Sequence, residues 1–541
     1  MIGHGWPRRT SLPPPPPVVR SALVLAILTP ALGLLVPAAP AGAYAGPGLP
    51  TAVQDDAHLQ YARPGQVHSE VGHLRALGVD RVRLTASWAN LTRSPNSRRP
   101  PDFDSSDPAQ YQQDKWRHLD TAVREADQAG LGVMIDIGFW APRWAARGPG
   151  PRFRSHVDSV EYARFAQAIA RRYSGSFIPP PEAIDPLETS DVTLPAAQSF
   201  ELWNEPNHPA FLAPQWYARG SRRTPASPVV YRAMVQRAYP AIKSANPHAA
   251  VLIGNTSSRG GFGGPHDSVP PLRFLRELAC VDSRLRPVRV GACTHYRRLE
   301  GDGWAHHPYS LTGAPSQHPR RPDEVLVANL SDLAATLDRL VSMGRIAPGL
   351  RNIYVTEYGY ETKALPHRPS ISESTQGRYL TWGEYLAWRV PTVRLFSQFL
   401  LRDQPPSRQV TSDSPQRPHG QFYSGLEHSD GTPKLAERSF LAGLFARRTS
   451  SARVLLWGRL RLRARSVRVS VESHLPGQAW QTLSTSDWPS RSAEASFALG
   501  GHGVFERWVP YVARVRYRLR YRLPDGAQGI SLPVPVIWAA S

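Results

Sequence analysis

Cysteine, methionine and lysine are nearly missing from this chain. Its 541 residues hold two cysteines, four methionines and four lysines, the last against 60 arginines. With only Cys280 and Cys293 there is no thiolate cluster for a structural zinc and no Cys-x-x-Cys redox pair. In an exported chain two such cysteines, close in sequence, read most simply as one disulfide closing a loop, worth about 3 kcal/mol through the unfolded state. The lysine deficit qualifies the formal charge of +21. Arginine in place of lysine looks like the coding bias of a GC-rich bacterial genome rather than selection for nucleic acid. No zinc-finger spacing, P-loop or RNA-binding aromatic motif accompanies the charge, so no nucleic-acid partner is expected. Attraction to an anionic surface or polymer stays open.

Long apolar runs are also scarce. The one at the N-terminus, Ala22 to Val36, follows Arg8, Arg9 and Arg20 and precedes the small residues Ala41-Gly42-Ala43-Tyr44-Ala45. That order is a secretion signal, with Ala41-x-Ala43 and Ala43-x-Ala45 both suited to cleavage. Pro30, Pro37 and the shortness of the run argue against a permanent span, and no second segment reaches the length a bilayer needs. The chain is therefore expected to be exported, bacterial-type, without stable membrane insertion. Arg8-Arg9 hints at twin-arginine export, while the prolines at 13–17 weaken the match.

Apolar residues make up 41% of the chain, enough for a sizeable core. From about residue 50, short apolar runs alternate with helical patterns, the rhythm of β/α units. Strands are expected at Thr51–Leu59, from Arg81 through Leu84, at Gly132–Ile137, ahead of Glu205, at Val251–Ile253, Gly303–His307, ahead of Glu357, and at Val393–Leu400. Helices are expected near 66–77, 115–129, 231–246, 325–343 and 375–388, with 434–446 closing the ring. The connections 93–114, 146–158, 174–197 and 403–420 are long and rich in Pro, Ser and Arg; they either wall a cleft or are plain surface insertions. Beyond about residue 447 the period changes to two, as in Val467-Arg468-Val469-Ser470-Val471 and the stretch from Arg514 to Leu523. Half-buried antiparallel strands and a small β-sandwich follow. The expected organisation is a signal peptide over 1–45, a (β/α)8 barrel over 46–446 and a β-sandwich accessory domain over 447–541. The sandwich's arginine row (514, 516, 518, 520, 522) is either a solvated face or a contact for acidic polysaccharide or cell wall.

Two stretches carry the chemistry. Glu201-Leu202-Trp203-Asn204-Glu205-Pro206-Asn207 and Tyr354-Val355-Thr356-Glu357-Tyr358-Gly359 are each an apolar run ending abruptly in a glutamate. A strand that ends on a carboxylate places it at a rim. Two such carboxylates facing each other are what glycosidic cleavage requires, one as proton donor and one as nucleophile. Trp203-Asn204-Glu205-Pro206 resembles the strand-four motif of clan A glycoside hydrolases, which include the family 5 cellulases and mannanases and the family 39 xylosidases. Thr356-Glu357-Tyr358-Gly359 is similar to that clan's strand-seven nucleophile motif. The resemblance spans roughly residues 50–445 and implies a (β/α)8 barrel and retaining hydrolysis of a β-linked glycan, with no metal or organic cofactor. It makes Glu205 the acid/base, Glu357 the nucleophile and Asn204 a partner of the sugar 2-hydroxyl. Arg83, favoured over Arg81, matches the clan's arginine beside the nucleophile, and His307-Pro308-Tyr309 resembles its His-x-Tyr, with Tyr309 donating to Glu357. Trp140, directly after the third strand, is the best candidate for a sugar platform among Trp88, Phe139, Trp140, Trp144, Phe211, Trp216, Tyr358 and Tyr360. At the end of strand eight, where many clan members have tryptophan, the chain has Gln398 and Phe399. A catalytically silent surface sugar-binding protein and a transglycosylase are the alternative readings.

Overall fold

The computed structural model describes residues 44–180, 193–264, 266–364, 368–405, 422–462, 466–483, 497–499 and 503–538. Residues 1–43 of the expected signal-peptide segment lie outside them, as do half of the connection 174–197 and most of 403–420, while Tyr44 and Ala45 are described.

Eight strands form a closed parallel barrel in sequential order: β1 (Thr51–Gln54), β2 (Arg81–Ala86), β3 (Gly132–Ile137), β4 (Ser199–Leu202), β5 (Ala250–Ser257), β6 (Gly303–His307), β7 (Ile353–Val355) and β8 (Val393–Phe399), with β8 pairing back to β1. A helix follows each: α1 (Pro64–Ala76), α2 (Arg117–Gln128), α3 (Ser159–Arg172), α4 (Ser227–Ala245), α5 (Pro271–Leu278), α6 (Leu330–Ser342), α7 (Glu373–Trp388) and α8 (Leu435–Leu441). Strand parity explains the layers. In β2, Val82, Leu84 and Ala86 join the apolar shell under the helices, while Arg83 enters the barrel interior. The barrel floor is apolar, built by Ala52, Met134, Leu252, Ala305 and Leu395. Polar side chains therefore enter only above that floor, toward the C-terminal ends of the strands.

Several boundaries differ from the sequence expectation. β1 stops at Gln54 because the Asp55 side chain accepts from the His58 amide and turns the chain into the short helix Asp56–Leu59. Helices α3 and α5 had no counterpart in the sequence reading. In α3 the Asp158 carboxylate caps Val160 and Glu161, and Tyr162, Phe165, Ala166 and Ile169 supply the buried stripe. The last helix ends at Leu441 rather than Ala446, because Ala442 to Arg448 pairs along its whole length with a strand of the C-terminal region.

That region is two packed sheets. The first contains β9 (Ala442–Arg448), β10 (Arg453–Leu460), β12 (Gly503–Pro510), the short strand Ile537–Trp538 and, at the other edge, the strand Tyr44–Pro47. The second contains β11 (Val467–His474) and β13 (Arg516–Arg522), flanked by shorter strands. Val467, Val469, Val471, Tyr517 and Leu519 face Leu444, Val454, Leu456 and Phe505 across the core. The segment ahead of the barrel thus belongs to the sandwich: Tyr44–Pro47 runs antiparallel to Gly503–Glu506. Of the arginine row, Arg514 lies before β13 in a left-handed conformation (φ 61°) and only the members from Arg516 on share the strand. No helix among the described residues is long and apolar enough to cross a membrane.

Sandwich and barrel share a dry interface on α7. Tyr385 stacks on Phe445 at 4.8 Å, Trp382 on the same ring at 5.4 Å, and Trp457 closes on Tyr385 at 5.7 Å. At its edge the α7 carboxylate of Glu384 accepts from Arg461 at 2.6 Å and faces Arg459 at 3.5 Å, all three buried. Arg459 also donates to the Leu49 carbonyl at 2.8 Å, ahead of β1. Glu384→Ala leaves two buried guanidinium groups without their anion, so it is expected to destabilise the protein by about 3–5 kcal/mol. Chemical unfolding of the variant beside the parent measures this; a loss below about 1 kcal/mol would contradict the role assigned to the pair.

Candidate active site

Parity and strand ends converge on one point above the apolar floor. Arg83 stands inward from β2, fully buried. Its Nη1 donates to Glu357 Oε1 at 2.9 Å and also bonds the Gln54 side chain. Its Nε donates to Glu201 Oε2 at 3.0 Å, and Nη2 lies 3.0 Å from the same oxygen, 3.6 Å from Asp136 Oδ2 and 3.5 Å from Asn204 Oδ1. One guanidinium thus aims the β7 glutamate and joins β1, β2, β3, β4 and β7. Arg81, at the half-buried start of β2, takes no part in these contacts.

Glu357 receives a second donor, the Tyr309 hydroxyl, at 3.1 Å on Oε2. Across from it, a Glu205 carboxylate oxygen lies within 4.8 Å of one of Glu357. His307, from the end of β6, sits between them: its Nδ1 is 3.1 Å from Glu205 Oε1 and 3.5 Å from Glu357 Oε2. The backbone around Glu205 is forced. Trp203 (φ 65°) and Glu205 (φ 38°) hold left-handed conformations, an arrangement that stores about 1–3 kcal/mol per residue and clusters at functional sites. The Glu205 amide donates to the Asn255 carbonyl at 2.9 Å, pinning the loop to β5.

Asn255 is a residue the sequence reading did not single out. It follows Gly254 at a register shift in β5, where Gly254 has φ 95° and a Cβ would stand 2.5 Å from the Trp304 ring. Its amide nitrogen donates to the Trp203 carbonyl at 2.8 Å, and its Oδ1 accepts from the Thr356 hydroxyl at 3.0 Å. That same oxygen lies 3.0 Å from His307 Nε2. An acceptor facing Nε2 puts the imidazole proton there. Burial holds His307 well below the usual histidine range, helped by the Arg83 charge, so the ring is neutral and Nδ1 is a bare acceptor. The group 3.1 Å away must then bring the proton, and that group is Glu205.

The electrostatics divide the two glutamates the same way. Burial and the Glu357 charge push Glu205 well above the carboxylate range. Burial raises Glu357 as well, only to about 7, because the Arg83 charge and the Tyr309 hydrogen bond hold it back. Asp136 is pushed well above the carboxylate range by burial, and its two oxygens accept no hydrogen bond; Arg83 is the cation that relieves it. The arrangement pairs a carboxylic acid with a carboxylate of lower pKa, on one rim, at a distance that admits a single reacting carbon between them.

The remaining expected site residues fall out as follows. Asn204 is 5% exposed, its Oδ1 3.5 Å from Arg83 Nη2. Trp140 follows β3 with φ 64° and is only 6% exposed, its Nε1 donating to the Ala210 carbonyl at 3.4 Å against the Phe139 edge, which leaves little ring face for a sugar. Trp88 and Trp144 are fully buried and packed edge to face under the helices, and Tyr358 and Tyr360 bond each other's hydroxyls at 3.0 Å. These four build the scaffold and are not free platforms. At the end of β8, Phe399 is the aromatic that reaches the site, edge-on to Tyr309 at 6.3 Å, whereas the Gln398 amide is spent on backbone carbonyls. Cys280 and Cys293 are bonded, with Cα atoms 5.6 Å apart, well away from these groups in the chain after α5.

Two clusters among the described residues bring three potential metal ligands within 4.8 Å of one another, Glu205–His307–Glu357 and His73–Glu427–Glu437. In the first, Arg83 and Tyr309 already serve Glu357 and the imidazole is held by Asn255. In the second, hydrogen bonding of the His73 Nε2–H to the Glu427 and Glu437 carboxylates raises His73 to about 10, so it stands as an imidazolium joining α1 to the end of the barrel.

No protein-family model and no curated protein sequence matches the chain. Solved structures do resemble it. A family 39 glycoside hydrolase from Bacteroides cellulosilyticus shares 14% identity over 86% of this chain and 81% of its own, with a TM-score of 0.48. A GH5_18 protein from Streptomyces cattleya, in complex with GlcNAc, shares 15% over 73% and 79%, with a TM-score of 0.44. An endo-1,4-beta-mannanase from Rhizomucor miehei shares 14% over 66% and 87%, with a TM-score of 0.38. At this level of likeness no chemistry follows from the neighbours, and it is read from the side chains alone.

Two measurements test the site. Carbon-detected NMR of labelled glutamate should show the Glu357 carboxyl titrating at about 7. In Tyr309→Phe it should titrate at higher pH, since the lost donor stabilised the charged form; a downward move would contradict the assignment. Nitrogen NMR should show His307 neutral and protonated on Nε2 at pH 7. Asn255→Leu should shift that population toward the Nδ1–H tautomer; an unchanged spectrum would remove Asn255 from the network.

Proposed function

We propose that the protein is an exported retaining glycoside hydrolase acting on a β-linked oligo- or polysaccharide. The observation that carries the reading is the unequal pair: Glu205 and Glu357 within 4.8 Å, one beside a bare imidazole nitrogen, the other beside a guanidinium and a phenol. Export is supported by the N-terminal sequence pattern, and the β-linkage by the resemblance of the two glutamate motifs to clan A.

In the first step Glu357 attacks the anomeric carbon and forms a glycosyl ester as the bond to the leaving oxygen breaks. Glu205 gives its proton to that oxygen. As Glu357 loses its charge to the new bond, the Glu205 carboxylate becomes the base, takes a proton from water, and the water oxygen displaces Glu357 with net retention. Arg83 and Tyr309 hold Glu357 ionised for attack and receive it when it leaves. Asn204, one residue before the acid, stands within reach of Arg83 and is placed to meet the sugar 2-hydroxyl. The short carboxylate separation suits attack by Glu357 itself, since an inverting pair needs about 6.5–9.5 Å to admit water.

Glu357→Ala is expected to lower turnover by at least about four orders of magnitude, the scale of losing a nucleophile. Glu205→Ala should keep the first step on substrates with very good leaving groups and regain turnover with azide, giving a glycosyl azide of retained configuration. NMR of the first-formed sugar should show the substrate's own anomeric configuration. An inverted product, or near-normal activity in Glu357→Ala, would overturn the reading.

A further inference from the structure

The arginine row of β13 is not the uniform cationic face that its alternation suggests. Glu472, on β11, accepts from Arg518 at 2.5 Å and from Arg520 at 2.6 Å, and the Gln528 side chain serves Arg522. The uncompensated charge lies at the other end. There a cavity of about 480 Å³ is lined by His474, Tyr511, Arg514, Arg516 and the apolar surfaces of Val515 and Pro535, with no carboxylate on its wall among the described residues. Arg514 and Arg516 are exposed, and β-sheet register sets Arg516 directly opposite His474.

Tyr511 is the aromatic residue of that wall, and Arg448 links it to Trp538. The Arg448 guanidinium is held by the Ser450 and Ser451 carbonyls and lies 3.8 Å over the Tyr511 ring and 4.9 Å over Trp538. Trp538, three residues beyond Pro535, is 65% exposed, a large apolar ring left in water. The Trp480 ring packs on the lining residue His474 at 4.9 Å and lies against the Arg518 guanidinium at 4.1 Å. Cations without counter-ions among the described residues favour an anion, while flat rings beside short apolar surfaces suit the C–H faces of a pyranose. The volume admits about one or two sugar residues, by comparison with pockets for small ligands.

We propose that the β-sandwich carries a second carbohydrate site, specific for an acidic sugar such as a uronate, with Arg514, Arg516 and His474 binding the carboxylate and Tyr511 and Trp538 the ring. The choice of a saccharide among anions rests on the glycan-cleaving reading of the barrel. The site is separate from Glu205 and Glu357, and it would hold an acidic glycan to the enzyme while the barrel works on the same or a neighbouring chain.

The test is calorimetric titration of the full chain carrying Glu357→Gln, so that nothing is consumed. Trigalacturonate is compared with its neutral trisaccharide counterpart, with inorganic sulfate and with a mixed-sequence DNA oligonucleotide. Expected is binding of the uronate at least about tenfold tighter than any of the others, weakening toward 0.5 M salt because the arginines are exposed. Arg514→Ser with Arg516→Ser should abolish it, lysine at both positions should restore part of it, and Trp538→Ala should weaken it several-fold. Unchanged thermal unfolding of the exposed-residue variants shows that binding, and not the fold, has been lost. Equal binding of the neutral sugar, equal binding of DNA or sulfate, retention in the double serine variant, or no binding at all each overturns the proposal. Because binding is read without turnover, its failure is distinct from a failure of the anomer and azide experiments.

Discussion

The buried guanidinium of Arg83 is the constraint around which the barrel's interior is organised. It is a single cation facing Glu357, Glu201 and Asp136 above an apolar floor. Removing it would leave three buried acidic groups without their cation, at a cost of several kcal/mol or of forced protonation. Keeping it has consequences in several directions. It fixes the β7 glutamate at the rim, it holds the Glu201 carboxylate inside β4, and it keeps the two catalytic candidates unequal. Glu357 is rescued from burial by that charge while Glu205, outside the guanidinium's hydrogen-bonding reach, keeps its proton.

A second level of control runs through neutral groups. The amide of Asn255 has one orientation, because its nitrogen is committed to Trp203. That leaves its oxygen to decide which imidazole nitrogen of His307 carries hydrogen. The charge state of the acid is thus set partly by a backbone carbonyl two residues before it. Such a relay works only if β5 is held rigidly, and the left-handed turn at Gly254 and Asn255, closed against Trp304, provides this.

Much of this was legible in the sequence, for reasons that can be named. β3 and β6 begin and end where alternation and apolar content placed them; Glu205 and Glu357 stand in two contiguous motifs, while Arg83, His307 and Tyr309 were reached through the clan A resemblance, since parity alone puts Arg81 and Arg83 on one face. Asn255 was not legible. It acts through a register shift, and a lone Asn after Gly in a strand reads equally well as a turn. Helix α3 was hidden for a different reason: alanines and arginines dilute its three large apolar residues, and long connections flank it on both sides. The aromatic residues misled, since sequence proximity to strand ends does not distinguish a ring facing the cleft from one wedged under a helix, as Trp88 and Trp144 are. The row on β13 had the alternation expected, but its charge was answered from β11 by Glu472, a pairing that only register reveals.

The strand Tyr44–Pro47 gives the chain an unusual order of completion. It pairs with Gly503–Glu506, so the whole barrel is inserted, in chain order, between neighbouring strands of one sheet. This is among the most sequence-distant pairings in the molecule, and distant pairings close late. Until it closes, β12 is an edge with unsatisfied backbone groups, an open template for any extended segment nearby. The barrel can form locally from adjacent β/α units, but the sandwich is sealed only when Tyr44–Pro47 meets Gly503–Glu506. A misfolded or truncated barrel would therefore leave its trace at the far end of the protein, as an adhesive sheet edge, and proper closure there amounts to a proofreading of everything synthesised in between.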